Sequence, residues 1–215
     1  RGLGDVYKRQ AMRNGIIVTV LFACLIGSAL LFYAGWELII VGLLCVLFAF
    51  LYTTGPYPLS YNGWGDVLVI VFFGFVPVGG TYYVQALTWT SDTTVASLIC
   101  GLLIDTLLVV NNYRDREADA RSGKRTVIVR FGEKFGRYLY LMLGVAASLL
   151  CFWFFFEGHL FAALLPLLYL IPHVLTWRRM VQIHSGKKLN SILGETSRNM
   201  LLMGILLSIG FLIRH

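Results

Sequence analysis

Seven long apolar runs, separated by short polar segments, constrain this 215-residue chain more than any single motif does. A bilayer core takes about 20 apolar residues per helix, and the runs at 14–34, 38–53, 67–87, 93–112, 135–156, 160–177 and 199–213 approach or reach that length. With 58% hydrophobic and only 13% charged residues, and a mean hydropathy of +0.74, no aqueous fold would hide this much apolar surface. The expected fold is an all-α polytopic transmembrane helix bundle in one domain, residues 14–215. Residues 1–13 stand apart. RGLGDVYKRQ is polar and glycine-containing, unlike the apolar remainder of the chain, and is expected to be a non-native or disordered leading segment.

Laying the positive charges on this span map gives the orientation. Short cytoplasmic loops collect Lys and Arg. With the N-terminus inside, every lysine and arginine except Arg214 falls on the inner side, while the outer turns carry Glu37, Asp92 and Glu157. The net charge of +7 is therefore a topology signal. It does not indicate nucleic-acid binding, which would need a soluble basic surface with base-reading or stacking groups. Cys24, Cys45, Cys100 and Cys151 all fall within apolar runs without paired spacing, so neither a disulfide framework nor a zinc site is expected.

The chemistry concentrates in residues 111–130, at the inner end of the fourth run. Asn111, Asp115 and Asp119 recur every four residues, so on a helix they drift only about 40° per step, and Asn112 lies close to the same face. Amide and carboxylate oxygens without His or Cys suit a hard cation such as Mg²⁺, which usually takes part of its shell from substrate phosphates. The negative end of the helix dipole adds to that preference. Close by in sequence lie Arg114, Arg121, Lys124, Arg125 and Arg130, whose forks and point charges match phosphate oxygens. A metal beside such cations points to a diphosphate. The plain alternative is a solvated inner loop, rich in Lys and Arg and laced with ion pairs. Arg114 would then pair with the acids.

Asp105 lies seven residues before Asn112, on nearly the same stripe and about 10 Å deeper. Intramembrane carboxylates are expensive and often functional. It would orient an acceptor or take a proton, or else bond, protonated, to a neighbouring helix. Asp66, at the mouth of the third run, would contact the acceptor or metal region, or cap a helix. His173 and His184 have no acid at ligand spacing. Tyr52, Tyr57, Tyr61, Tyr82, Tyr83 and Trp89 read as an interfacial aromatic belt, with a cavity lining as the alternative.

The stretch NNYRDREADARSGKRTVIVRFG resembles the second Asp-rich motif of the UbiA superfamily of intramembrane aromatic prenyltransferases. Within it, the pattern Asn-Asn-x-Arg-Asp-x-x-x-Asp, then Gly-Lys-Arg-Thr and Val-Arg-x-Gly, is similar to the branch that prenylates 1,4-dihydroxy-2-naphthoate in menaquinone synthesis. Residues 52–58, the 63–66 turn and Phe72-Phe73-Gly74 agree with it.

The resemblance implies nine helices around a cavity, with two Asp-rich motifs facing each other across Mg²⁺ and the diphosphate of an isoprenyl donor. It casts Asn111, Asn112, Asp115 and Asp119 as metal-diphosphate ligands, and Lys124, Arg125, Arg130 and Arg114 as phosphate partners. Asp115 and Asp119 become candidate catalytic carboxylates; Asp105, from its place on the same stripe, is a third, and Asp66 is a candidate substrate contact. One departure stands out: no first Asn-x-x-x-Asp motif occurs on an early helix, and the first run resembles the family's third helix. On that reading the chain begins after the first motif and is expected to be catalytically weak or inactive by itself. Competing readings are prenylation of another aromatic acceptor, 4-hydroxybenzoate or homogentisate, and a membrane transporter with an Asp/Asn ion site.

Overall fold

The backbone solves the problem that lipid poses, satisfying its polar groups within helices. A computed structural model describes residues 3–213, with side chains from residue 10. Arg1 and Arg214, which entered the charge map, lie outside the described residues. In order the chain forms α1 (Leu3–Ala29), α2 (Leu31–Ala34) and α3 (Glu37–Thr53), then a 3₁₀ turn at Leu59–Asn62. Next come α4 (Gly65–Val69), a π-helical stretch Ile70–Gly79, and α5 (Gly80–Ala86). The second half holds α6 (Ser91–Arg121), α7 (Val127–Phe131), α8 (Glu133–Leu150), α9 (Trp153–Phe156), α10 (Leu160–Leu164), α11 (Leu170–Ile183) and α12 (Asn190–Leu212). No strand occurs among the described residues.

Six helical units are long and apolar enough to cross a bilayer: Gln10–Ala34, Gly65–Ala86, Ser91–Arg121, Glu133–Phe156, Leu160–Ile183 and Lys187–Leu212. The remaining run is α3, an apolar helix of 17 residues and about 25 Å, at the lower limit for a span. All seven runs are thus helical. The protein is an integral membrane protein of the all-α polytopic class. The last unit starts at Lys187, a dozen residues before the apolar run that marks it in the sequence, because a helix carrying Glu195 and Arg198 continues toward the polar side. The first helix likewise reaches back to Leu3.

α6 is the central strut. Thr90 caps its start, its side chain accepting from the Thr93 amide at 3.1 Å. On one side α6 packs against the π-helical stretch at backbone distance: a Cβ on Gly74 would lie 2.5 Å from the Ser97 carbonyl oxygen, and one on Gly101 2.9 Å from the Ile70 carbonyl oxygen. Small residues allow this approach, which drives helix association where lipid offers no hydrophobic gain. On its other side α6 joins two cores. One gathers Val109, Val110, Tyr113, Ile128, Tyr140 and Met180, and the other Ile99, Leu103, Ala147, Phe154, Tyr169 and Met203. α1 leaves its apolar side chains exposed, as a lipid-facing helix can.

Candidate active site

α6 remains helical through Arg121, so Asn111, Asn112, Asp115 and Asp119 are presented on one rigid element, as their spacing implied. Arg114 organises the first group. Its Nη2 donates to Asn111 Oδ1 at 2.7 Å and to Asp115 Oδ2 at 2.6 Å, its Nε donates to Asp115 Oδ1 at 2.7 Å, and its Nη1 reaches Asn190 Oδ1 at 3.0 Å. Amide and carboxylate oxygens four residues apart therefore converge on one cationic nitrogen. Asn190, at the start of α12, gives no sequence signal, because it joins the site only when α12 packs beside α6.

Beyond Ser122 the chain reverses through Gly123, with the Lys124 amide bonding back to the Asp119 carbonyl at 2.9 Å. This 6→1 closure satisfies an end carbonyl of the helix. It also returns the Lys124 ammonium to Asp119 Oδ2 at 3.4 Å. Lys124 then lines a small polar pocket with Tyr52, Ser60, Gly63, Gly65, Asp66, Asn112 and Thr126. The pocket brings Asp66 and Asn112 together with Lys124, although they come from different helices. Asp66 sits in the first turn of α4, and no side-chain cap bond forms at that helix start, so the capping alternative is not realised.

Deeper on α6, Asp105 is 1% exposed. Asp105 Oδ1 and Asp66 Oδ1 are both buried without a hydrogen-bond partner, and the two carboxylates lie within electrostatic reach of each other. Buried oxygens left unpaired are costly and uncommon. They mark the interior side of the site as one that accepts donors or cations.

The remaining predicted cations divide. Arg125 places its backbone amide on the Tyr61 carbonyl at 2.7 Å, clamping the loop to the 3₁₀ turn, and leaves its side chain exposed. Arg130 donates Nη2 to the Asn62 carbonyl at 2.7 Å, a backbone anchor that its phosphate-binding reading did not foresee. Gly63 makes this docking possible. Its φ is +81°, and an added Cβ would meet the Arg125 carbonyl at 3.0 Å and Arg130 Cζ at 3.4 Å. Gly63→Ala is expected to displace the 124–130 loop and lower activity about tenfold while the helices stay folded. Parallel activity and far-ultraviolet circular dichroism measurements check this; a wild-type rate in the variant would contradict the coupling.

Behind the loop lies a network invisible in the sequence. Glu133 pairs with Arg116 at 3.2 Å, with Arg137 and with His184 at 2.8 Å, and accepts from Tyr113 OH at 3.2 Å. Arg137 also donates to Tyr113 OH at 2.9 Å. This ties the inner end of α6 to α8 and to the residue after α11. Each member alone resembles an ordinary inner-loop charge.

Among the described residues no three His, Cys, Asp or Glu side chains are grouped closely enough to hold a metal by themselves. The donor set nevertheless fits a hard cation shared with a substrate anion. Asn111 and Asp115 already direct oxygens at one positive centre, and hard cations take water and phosphate oxygens for the rest of their shell.

An all-helical membrane bundle with an amide, carboxylate and cation cluster at one end of its central helix defines the class: a polytopic integral membrane protein with a polar site at that helix end. Comparison with known proteins gives its family. The model of the UbiA prenyltransferase family matches residues 4–209, and the chain belongs to that family. Several similar proteins are named 1,4-dihydroxy-2-naphthoate octaprenyltransferase. That of Haemophilus influenzae is 37% identical over 95% of this chain and 68% of its own length. That of Escherichia coli is 38% identical over 68% of this chain and 49% of its own length. That of Mycobacterium leprae is 38% identical over 66% of this chain and 48% of its own length. The matches thus span between about half and two thirds of these relatives. No solved structure matches.

Proposed function

We propose that this sequence carries out prenyl transfer from an isoprenyl diphosphate to 1,4-dihydroxy-2-naphthoate, giving the demethylmenaquinone skeleton. The observation that carries the reading is the convergence of Asn111 and Asp115 oxygens on one cationic centre, beside the Asp119–Lys124 pair. The names of the relatives supply the acceptor. In this reading the domain spans residues 14–215, sits in a bacterial inner membrane and turns its 111–130 segment to the cytoplasm.

Asn111, Asn112, Asp115 and Asp119 would hold Mg²⁺, which supplies charge stabilisation for the departing diphosphate. Lys124 and Arg125, with Arg114 once it is released from its carboxylate, neutralise phosphate oxygens. Preorganised cations stabilise charge most where it grows as a bond breaks. The allylic C–O bond breaks with its electron pair leaving on the diphosphate. The ring carbon of the acceptor then forms the new C–C bond, and the ring carboxylate departs as carbon dioxide. Asp66 and Asp105, each with an unpaired buried oxygen, orient the acceptor hydroxyls and hold a hydroxyl proton while the ring carbon that bears the carboxylate bonds the prenyl group, returning it as the electron pair of the C–CO₂ bond restores the ring. Arg130 holds the loop through Asn62. Membrane lipid surrounds the prenyl tail.

An acceptor panel tests the assignment. Membranes from cells lacking their own quinone prenyltransferases would be supplied with Mg²⁺, farnesyl diphosphate and 1,4-dihydroxy-2-naphthoate, 4-hydroxybenzoate or homogentisate. The sequence is assayed alone and joined to the part of the Haemophilus influenzae relative outside the matched region. Product from the dihydroxynaphthoate only is expected; turnover of another acceptor in its place would reassign the substrate.

A further inference from the structure

Away from this site, α11 and α12 border a second, open depression, lined by Pro172, Thr176, Arg179, Glu195, Arg198 and Asn199 among others. Its wall is built. Glu195, 8% exposed, accepts from Arg179 at 2.6 Å and from Thr176 at 3.4 Å, and Asn199 donates to Thr176 at 2.9 Å. Arg178, Arg198 and Gln182, also on its rim, have no hydrogen-bond or ion-pair partner among the described residues. The groove holds three arginines against one glutamate. Its apolar side consists of Pro172, Leu175 and Leu202, of which Leu175 and Leu202 are 53% and 36% exposed on membrane-spanning helices.

We propose that the α11–α12 groove is a binding site for an anionic phospholipid with a hydroxylated headgroup, of the phosphatidylglycerol kind. Free guanidinium groups of Arg178 and Arg198 take the phosphodiester oxygens, and Leu175 and Leu202 take the upper acyl chain. Basic pockets between transmembrane helices at the inner leaflet suit such headgroups, and long arginine stems reach that level by snorkelling. What selects a phospholipid over an isoprenyl diphosphate is Glu195, together with the amides of Gln182 and Asn199. A diphosphate brings only acceptors and several negative charges, which a carboxylate repels. A glycerol headgroup brings one negative charge and hydroxyl donors for those oxygens.

Thermal unfolding of the purified chain in neutral detergent tests this. Titrants are phosphatidylglycerol, phosphatidylcholine of the same chains, glycerol 3-phosphate, and farnesyl diphosphate in EDTA. Phosphatidylglycerol is expected to raise the midpoint by several degrees in a saturable way, as a ligand of the folded state does, with the other three well behind. Arg178→Gln with Arg198→Gln should abolish that shift, whereas Lys187→Gln with Lys188→Gln, an equal charge loss outside the groove, should keep it. Equal shifts with phosphatidylcholine, a larger farnesyl diphosphate shift that is lost in Arg178→Gln with Arg198→Gln, or equal loss of the phosphatidylglycerol shift in both double variants would overturn the proposal. On unmodified protein, a photoreactive phosphatidylglycerol should label peptides from 172–202 first. Labelling spread evenly over the other inner-face helices would also overturn it.

Discussion

Asp115→Asn is expected to reduce prenyl transfer by about 100-fold or more, the scale seen when one preorganised electrostatic group is removed from a reacting centre. Asp115 is bonded through both oxygens to Arg114, which also holds Asn111 and Asn190. The amide keeps the shape but removes the charge that would be shared between a divalent cation and Arg114. Partly exposed at the helix end, the position carries little of the core, so the variant should express and unfold like wild type. A steady-state assay with the donor varied, on the form joined to the remainder of the Haemophilus influenzae relative, alongside thermal unfolding, separates the outcomes. Activity within threefold of wild type would remove Asp115 from the reacting centre and leave Arg114–Asp115 as an ordinary surface ion pair.

Gly74→Leu is expected to abolish recovery of folded protein. A Cβ there would lie 2.5 Å from the Ser97 carbonyl oxygen, 2.8 Å from Gly101 Cα and 2.9 Å from the Gly101 amide nitrogen. All three are backbone atoms, so no rotamer change relieves the overlap. Overpacking usually costs about 1–3 kcal/mol, and separating two helix backbones belongs at or above the upper end. Since α4 and the π-helical stretch form one continuous unit with α5, the shift would also carry Asp66 away from Asn112. Gly204→Ala provides the contrast, with nothing within 4 Å of its Cβ, and should change stability by less than about 1 kcal/mol. Fluorescence-detected size exclusion in detergent reads both variants. A monodisperse Gly74→Leu peak at the wild-type yield would show that the α6 contact is softer than its geometry implies.

Much of this architecture was legible from residue pattern because lipid makes the backbone rule strict. Each apolar run became a helix, and the four-residue spacing of Asn111, Asp115 and Asp119 held because α6 continues unbroken through Arg121. The π-helical stretch Ile70–Gly79 was not legible. It is apolar on all sides, so no periodicity separates i+4 from i+5 bonding, and only Pro77 hints at irregularity. The start of the last helix was missed for the opposite reason. Glu195 and Arg198 look like loop residues until Arg179 and Thr176 are seen bonding the glutamate from α11. Long-range partners were equally hidden. The Arg130 bond to Asn62 and the Glu133 contacts to Arg116 and His184 exist only after distant segments close on one another.

Central to the proposed function is a donor diphosphate held with a divalent cation at the inner end of α6. Binding, read without turnover, tests it most directly: titration of a non-hydrolysable farnesyl thiodiphosphate into purified protein, with Mg²⁺ or with EDTA, in wild type and in Asp115→Asn with Asp119→Asn. Saturable binding that requires Mg²⁺ and is lost in the double variant is the predicted result. Binding of equal strength in EDTA, or undiminished in the double variant, would contradict the account and move the diphosphate away from α6.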